Sequence, residues 1–119
     1  MPRYLLLMYN EDMEMPEKPT EEQMGKGTAP WREYLAPLTR DGAVESVAPV
    51  LWEGKSVTST GAEDYKPQKL DLGGYMIIRA DSMEGAVEMA KRSPHAQSNM
   101  GPTAIKGIRD MQDVTVEKS

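Results

Sequence analysis

Two stretches of the chain are apolar at consecutive positions, and they frame its organisation. In Arg3–Tyr9 (RYLLLMY), an extended backbone points Tyr4, Leu6 and Met8 to one side and Leu5, Leu7 and Tyr9 to the other, so both faces are apolar. Gly74–Ala80 (GYMIIRA) has the same character. Between and after them the pattern changes period. Met24, Trp31, Leu35 and Leu38 fall on one face of a helical register, with Thr20 as N-cap and Gln23 completing a capping box. Gly25, Gly27 and Pro30 weaken the first turns, so the better helix begins near Ala29, is kinked at Pro37 and ends at Gly42 in a left-handed cap. A second helix is predicted after Asp81 as N-cap with Glu84 at the third position, its buried stripe formed by Met83, Ala86, Val87 and Ala90. Lys91 and Arg92 suit its C-terminal dipole, and Ser93-Pro94 stops it.

The weaker segments complete the order. Ala43–Leu51 predicts a strand at a sheet edge, where Pro49 is tolerated. Trp52-Glu53-Gly54-Lys55 predicts a turn into a short polar strand, Ser56–Thr60, followed by a loop over Gly61–Asp71. Thr103–Arg109 is the last core strand and Gln112–Ser119 a polar tail. Setting the hairpin strand aside, the elements read strand, helix, strand, strand, helix, strand. This is α+β, a ferredoxin-like βαββαβ arrangement with an antiparallel sheet. It places the first and third of these strands at the sheet centre, and those are the two most apolar strands, Arg3–Tyr9 and Gly74–Ala80. Two helices cover only one face of such a sheet, yet both central strands are apolar on both faces. The second face therefore requires a partner, and face-to-face stacking of two copies supplies it: the expectation is an obligate homodimer.

Composition narrows the remaining choices. A chain of 119 residues predicts one domain over 1–119. Net charge −5 and a pI near 4.9 give no electrostatic footprint for nucleic acid or an anionic membrane. The absence of cysteine removes thiol chemistry and suits the cytoplasm, and the apolar run Tyr4–Tyr9 is too short for a signal-peptide core or a membrane span. With ten Met and no Phe, flexible thioethers are expected to fill the core. One histidine and no carboxylate cluster with metal-loop spacing predict no metal and no cofactor.

Candidate chemistry centres on His95, the single histidine, just after the second helix. In one reading it is a general acid/base facing a pocket at the dimer seam, oriented by Asp71 or Asp64 from the long loop. In the other it hydrogen-bonds a free backbone carbonyl near the helix end. Tyr9, Trp31, Tyr34, Trp52 and Tyr75 are either core residues or the lining of an apolar ligand cleft. Gly73-Gly74 precede a strand, so they allow a bend or close backbone approach rather than forming a phosphate loop.

LGGYMIIRADSMEGAVEMAKRSPH, TAIKGIRDM and the opening RYLLLMY resemble the YCII-related, or DGPF-type, domain family. The resemblance implies a ferredoxin-like dimeric α+β barrel. Most members of that family have no established activity; some resemble small lyases and isomerases, and others are encoded beside sigma factors. The Asp-Gly-Pro-Phe signature is replaced here by Ala62-Glu63-Asp64-Tyr65, with Tyr65 at the aromatic position and Lys69 matching a later lysine. Some branches carry a first-helix histidine paired with an aspartate, and this chain has no histidine there. Three functions stay open. One is a homodimer binding a small organic molecule, with Tyr9, Trp31, Tyr65 and Tyr75 as contacts. Another is a lyase or isomerase using His95 as acid/base with Asp71 and Asp64. A third is an interaction module, such as a sigma-factor-associated protein, engaging a basic partner through the acidic segment Glu11–Glu22.

Overall fold

The computed structural model describes residues 1–11, 28–51 and 53–109. The expected capping box at Thr20 and Gln23, Met24, Trp52, most of the acidic segment and the polar tail lie outside the described residues. The elements are β1 (Arg3–Glu11), α1 (Thr28–Arg40), β2 (Val44–Pro49), β3 (Lys55–Thr58), β4 (Gly61–Asp64), β5 (Leu70–Arg79), α2 (Met83–Lys91), α3 (Pro94–Gln97) and β6 (Thr103–Ile108).

Four strands form one sheet in the order β2-β5-β1-β6, with every neighbouring pair antiparallel. β1 and β5 are central, as their two apolar faces require. This is the ferredoxin-like topology. Tyr4, Leu6 and Met8 of β1 and Met76 and Ile78 of β5 point to the helix side, where they are buried with Ala80, Ala86 and Ala90. Trp31, Tyr34 and Leu35 of α1 and Met89 of α2 close over them. The ring of Trp31 meets Tyr34 edge-to-face at 5.6 Å, and the Tyr34 hydroxyl donates to the Met89 carbonyl at 2.7 Å, tying the two helices together. Burial pushes the Tyr34 phenol up to about 12, partly offset by the nearby Arg92 charge.

Local chemistry explains the boundaries. α1 ends in a Schellman motif: Ala43 N–H donates to the Leu38 carbonyl and Gly42 N–H to Thr39, with Gly42 at φ 72°. Pro37 lies within α1. β2 occupies the edge, where Pro49 needs no partner for a missing N–H and a bulge at Glu45 breaks the register.

The structure corrects three local expectations. The N-cap of α2 is Ser82, whose hydroxyl accepts from Gly85 N–H at 3.1 Å, one residue later than Asp81; the capping box fails because Gly85, not Glu84, takes the third position. Met83 is 41% exposed and outside the core, and Met89 instead joins the alanines against the sheet. Finally, Gly61–Asp64 is not loop but β4, paired with β3 around a turn at Ser59-Thr60. Thr58 Oγ1 bonds the Thr60 hydroxyl and the Gly61 carbonyl to close that turn, and Lys55 pairs with Asp64 at 2.5 Å. β3 and β4 form a two-stranded sheet of their own.

Among the described residues the other face of the main sheet has no helix over it. Leu5 and Leu7, Tyr75 and Ile77, Ser46 and Ala48, and Ala104 and Lys106 share this face by register. The Tyr75 hydroxyl and Ser46 Oγ are 2.9 Å apart, so these two hydroxyls satisfy one another. At one end Glu45 accepts from both Arg3 (2.6 and 3.1 Å) and Arg79 (3.0 Å), and these hydrogen bonds hold its carboxyl below the ordinary range.

Candidate functional site

The polar side chains singled out in the sequence gather mainly where β1 ends. Here the β1–β5 ladder skips one residue: Met8 pairs with Gly74 and Tyr9 with Leu72, leaving Gly73 bulged. The Asn10 amide lies directly over Gly73, in the space that a Cβ would occupy, which is why that position suits glycine. Asn10 Oδ1 is buried with no hydrogen-bond donor among the described residues. On the other side of β1, Tyr9 N–H donates to the Pro102 carbonyl and Glu11 N–H to Met100, both at 2.9 Å.

His95 joins these two sides. α3 is a four-residue helix, started by Ser93, whose hydroxyl accepts from Ala96 N–H at 3.2 Å, and by Pro94, whose fixed φ suits a first helical position. That places the buried His95 ring with Nε2 2.8 Å from the Tyr9 carbonyl and Nδ1 3.3 Å from Thr103 Oγ1. A carbonyl only accepts, so Nε2 carries the proton and donates, while Nδ1 shares a hydrogen bond with the Thr103 hydroxyl. His95 thus clamps the α2–β6 connection to the end of β1 by binding a backbone carbonyl.

Asp71 stands opposite Asn10 in the ladder. The Tyr65 hydroxyl reaches both its oxygens, at 2.8 and 2.7 Å, and Gln68 and Leu72 N–H groups donate at 2.8 and 2.7 Å. Burial pushes the Asp71 carboxyl upward, but the bonds from Gln68, Tyr65 and Leu72 outweigh it and the net displacement is downward. The same carboxylate, as hydrogen-bond acceptor, pushes the Tyr65 phenol up. The pair is a fixed anion beside a phenol that keeps its proton.

This geometry has a pH consequence. A depressed folded-state pKa stabilises the fold above the unfolded-state value near 3.9, and the contribution disappears as pH falls through the lower folded value. Urea unfolding at pH 7 and pH 3 is therefore expected to show a larger loss of stability for the wild type than for Asp71→Asn, which cannot titrate. Equal losses would remove this role from Asp71.

Not all the expected residues meet. His95 bonds neither aspartate: its ring nitrogens face Tyr9 and Thr103, Asp71 faces Tyr65, and Asp64 sits exposed on the hairpin against Lys55. Trp31 packs on the helix side of the sheet and Tyr75 on the opposite face, so these two cannot line one cleft within a protomer. His95 meets Tyr9 through the backbone carbonyl and Thr103 through its hydroxyl, while Tyr65 meets Asp71 on the other side of β1, opposite Asn10. Among the described residues no three His, Asp or Glu side chains lie close enough to hold a metal ion, and no helix is long and apolar enough to cross a membrane.

No protein-family model matches the chain, and no curated protein does. Among solved structures it is similar to 5-chloro-2-hydroxyhydroquinone dehydrochlorinase from Burkholderia phenoliruptrix, in complex with 2,5-dihydroxybenzoquinone. The identity is 17%, the match covers 90% of this chain and 93% of the other, and the TM-score is 0.54. At that identity the likeness is one of fold.

Proposed function

We propose that the chain is a single-domain, cytoplasmic, YCII-related homodimer that binds a small organic molecule at the end of β1. The observation carrying this reading is the grouping there of a fixed carboxylate, a protonated phenol and a buried amide oxygen with no donor among the described residues: Asp71, Tyr65 and Asn10. A buried acceptor without a donor costs roughly 1–3 kcal/mol, and a ligand hydroxyl or N–H that reaches it recovers much of that. The structural neighbour, bound to a small oxygenated ring, supports the ligand class. Homodimerisation is supported by the uncovered apolar face bearing Leu5, Leu7, Tyr75 and Ile77.

The test uses 2,5-dihydroxybenzoquinone as probe and two-dimensional NMR of the labelled protein. At millimolar probe or below, the Asn10 side-chain amide and the Leu72 and Gly73 backbone amides are expected to shift, and Asn10→Ala to weaken binding at least tenfold. Saturation with shifts confined to other parts of the molecule, or none, overturns the site.

A second reading, proton transfer by a lyase or isomerase, is favoured by one detail. Among the described residues His95 Nδ1 faces a hydroxyl at 3.3 Å, a long contact that would leave the lone pair of a neutral ring weakly engaged. In that case the bound probe class is turned over, and His95→Gln, which keeps a side-chain N–H for the Tyr9 carbonyl, loses kcat with KM retained.

A further inference from the structure

We infer that Tyr65 and Asp71 form a latch fixing the β3–β4 ribbon to the main sheet. A hydroxyl-bearing ligand at the end of β1 opens it by taking the place of Tyr65 on Asp71, a step that rests on the binding site proposed above. The ribbon needs an anchor. All eight of its strand residues are exposed, and their side-chain bonds, Lys55 with Asp64 and Thr58 with Thr60 and the Gly61 carbonyl, stay within the hairpin. β3 and β4 form a separate sheet, so among the described residues no ladder ties them to β5. An isolated two-stranded ribbon is marginal in water.

The tie comes at the root. Tyr65 directly follows β4, and its N–H donates to the Gly54 carbonyl at 2.9 Å, closing the base of the ribbon. Its hydroxyl crosses to Asp71 in β5, lying 2.8 Å from Oδ1 and 2.7 Å from Oδ2. One residue thus joins the two sheets, by its backbone on the hairpin side and by its side chain on the other.

The Asp71 carboxylate is fully occupied. Besides the phenol, Oδ1 receives Leu72 N–H at 2.7 Å and Oδ2 receives Gln68 N–H at 2.8 Å. Both amides lie within three residues of Asp71 along the chain, so the backbone holds them in place. Tyr65 is the donor that can leave. It reaches the carboxylate through rotatable side-chain bonds, and its single proton is shared between two oxygens, which weakens the bond to each. A ligand hydroxyl therefore gains Asp71 only in place of Tyr65.

Asn10 supplies the second contact. It is the ladder partner of Asp71, and its buried Oδ1 has no donor among the described residues. Cross-strand partners hold their side chains about 5 Å apart, a span that two hydroxyls on one small ring cover. Binding there and latching by Tyr65 exclude one another. By reciprocity, a chain without the latch binds such a ligand more tightly.

Tyr65→Phe, which removes one oxygen, tests this in the full chain with resorcinol as probe. Amide-nitrogen NMR relaxation over residues 55–64 reads the order of the ribbon, and the Leu72 and Gly73 amide shifts read binding. The free variant is expected to lose order over 55–64 while β1 and β5 keep theirs, and to bind resorcinol at least threefold more tightly than the wild type. The wild type saturated with resorcinol is expected to lose the same order. A free variant whose ribbon stays as ordered as the wild type overturns the latch, whatever the binding data. A looser ribbon with equal or weaker affinity overturns the opening by ligand and leaves the binding site standing. No amide shift in either protein at millimolar resorcinol overturns the binding site and the opening together. If Tyr65→Phe fails to fold, the wild type alone decides: a ribbon equally ordered when free and when saturated overturns the opening.

Discussion

Ile78→Ala is expected to lower the unfolding free energy by about 3 kcal/mol, measured by urea denaturation with fluorescence detection of the tryptophans. Ile78 is fully buried on the helix side of β5, between its ladder partners Tyr4 and Val44. Its truncation removes apolar transfer free energy and leaves a cavity that the close-packed alanines of α2 cannot fill. Against the 5–15 kcal/mol typical of a domain, that loss is large. Its neighbour Ile77 points to the opposite face, opposite Leu5 and Ser46, and behaves differently. Ile77→Asp is expected to keep the fold of the protomer and abolish the dimer at micromolar concentration. A loss of fold equal to that of Ile78→Asp would mean that the open face is not a partner surface. The alternation of these two residues along one strand thus separates folding from association.

Much of this was legible in the chain, because burial writes a pattern into sequence. Both faces of β1 and β5 are apolar, so their central places could be read before any coordinates. Gly42 was legible for a separate reason: a glycine after a helical register is the residue that tolerates the left-handed cap found at φ 72°. The hairpin was legible only in its first strand: Ser56–Thr60 read as a short polar strand close to β3, but its turn was expected before that strand and not after it. Both faces of β3 and β4 are exposed, so no alternation of polar and apolar residues records their pairing, and Gly61–Asp64 read as loop. The site was half legible. His95 drew attention as the single histidine, but its acceptor is the carbonyl of Tyr9, a group that every residue carries, so no residue type announces the partner. Asn10 was missed because its position depends on a bulge: only with Gly73 skipped does the amide lie over that glycine. The glycine pair was the available signal, since it foretold close backbone approach without saying which side chain approaches.

Gly101→Ala is expected to destabilise the fold by about 3 kcal/mol and to release the His95 clamp. A Cβ at Gly101 would fall inside contact distance of the Tyr9 carbonyl oxygen, and it would also sit 3.0 Å from the Tyr9 carbonyl carbon and 3.3 Å from the Asn10 Cα. These are backbone atoms, so no side chain can swing aside to relieve the overlap. The 100–102 segment must move away from β1, lengthening the bonds from Tyr9 N–H to Pro102 and from Glu11 N–H to Met100. The carbonyl oxygen that the new methyl group would crowd is also the one that accepts from His95 Nε2. The displacement therefore reaches the ring and, through Asn10, the edge of the proposed binding site. By contrast, Gly107 lies in β6 with nothing within 4 Å of an added Cβ, so Gly107→Ala is expected to be neutral or slightly stabilising. Urea midpoints measure the stability difference, and NMR reports the clamp: the Nε2 proton of His95 is expected to be protected from exchange in the wild type and to lose that protection in Gly101→Ala. Two variants of equal stability would show that the tight approach of Gly101 to Tyr9 does not hold this end of the sheet together.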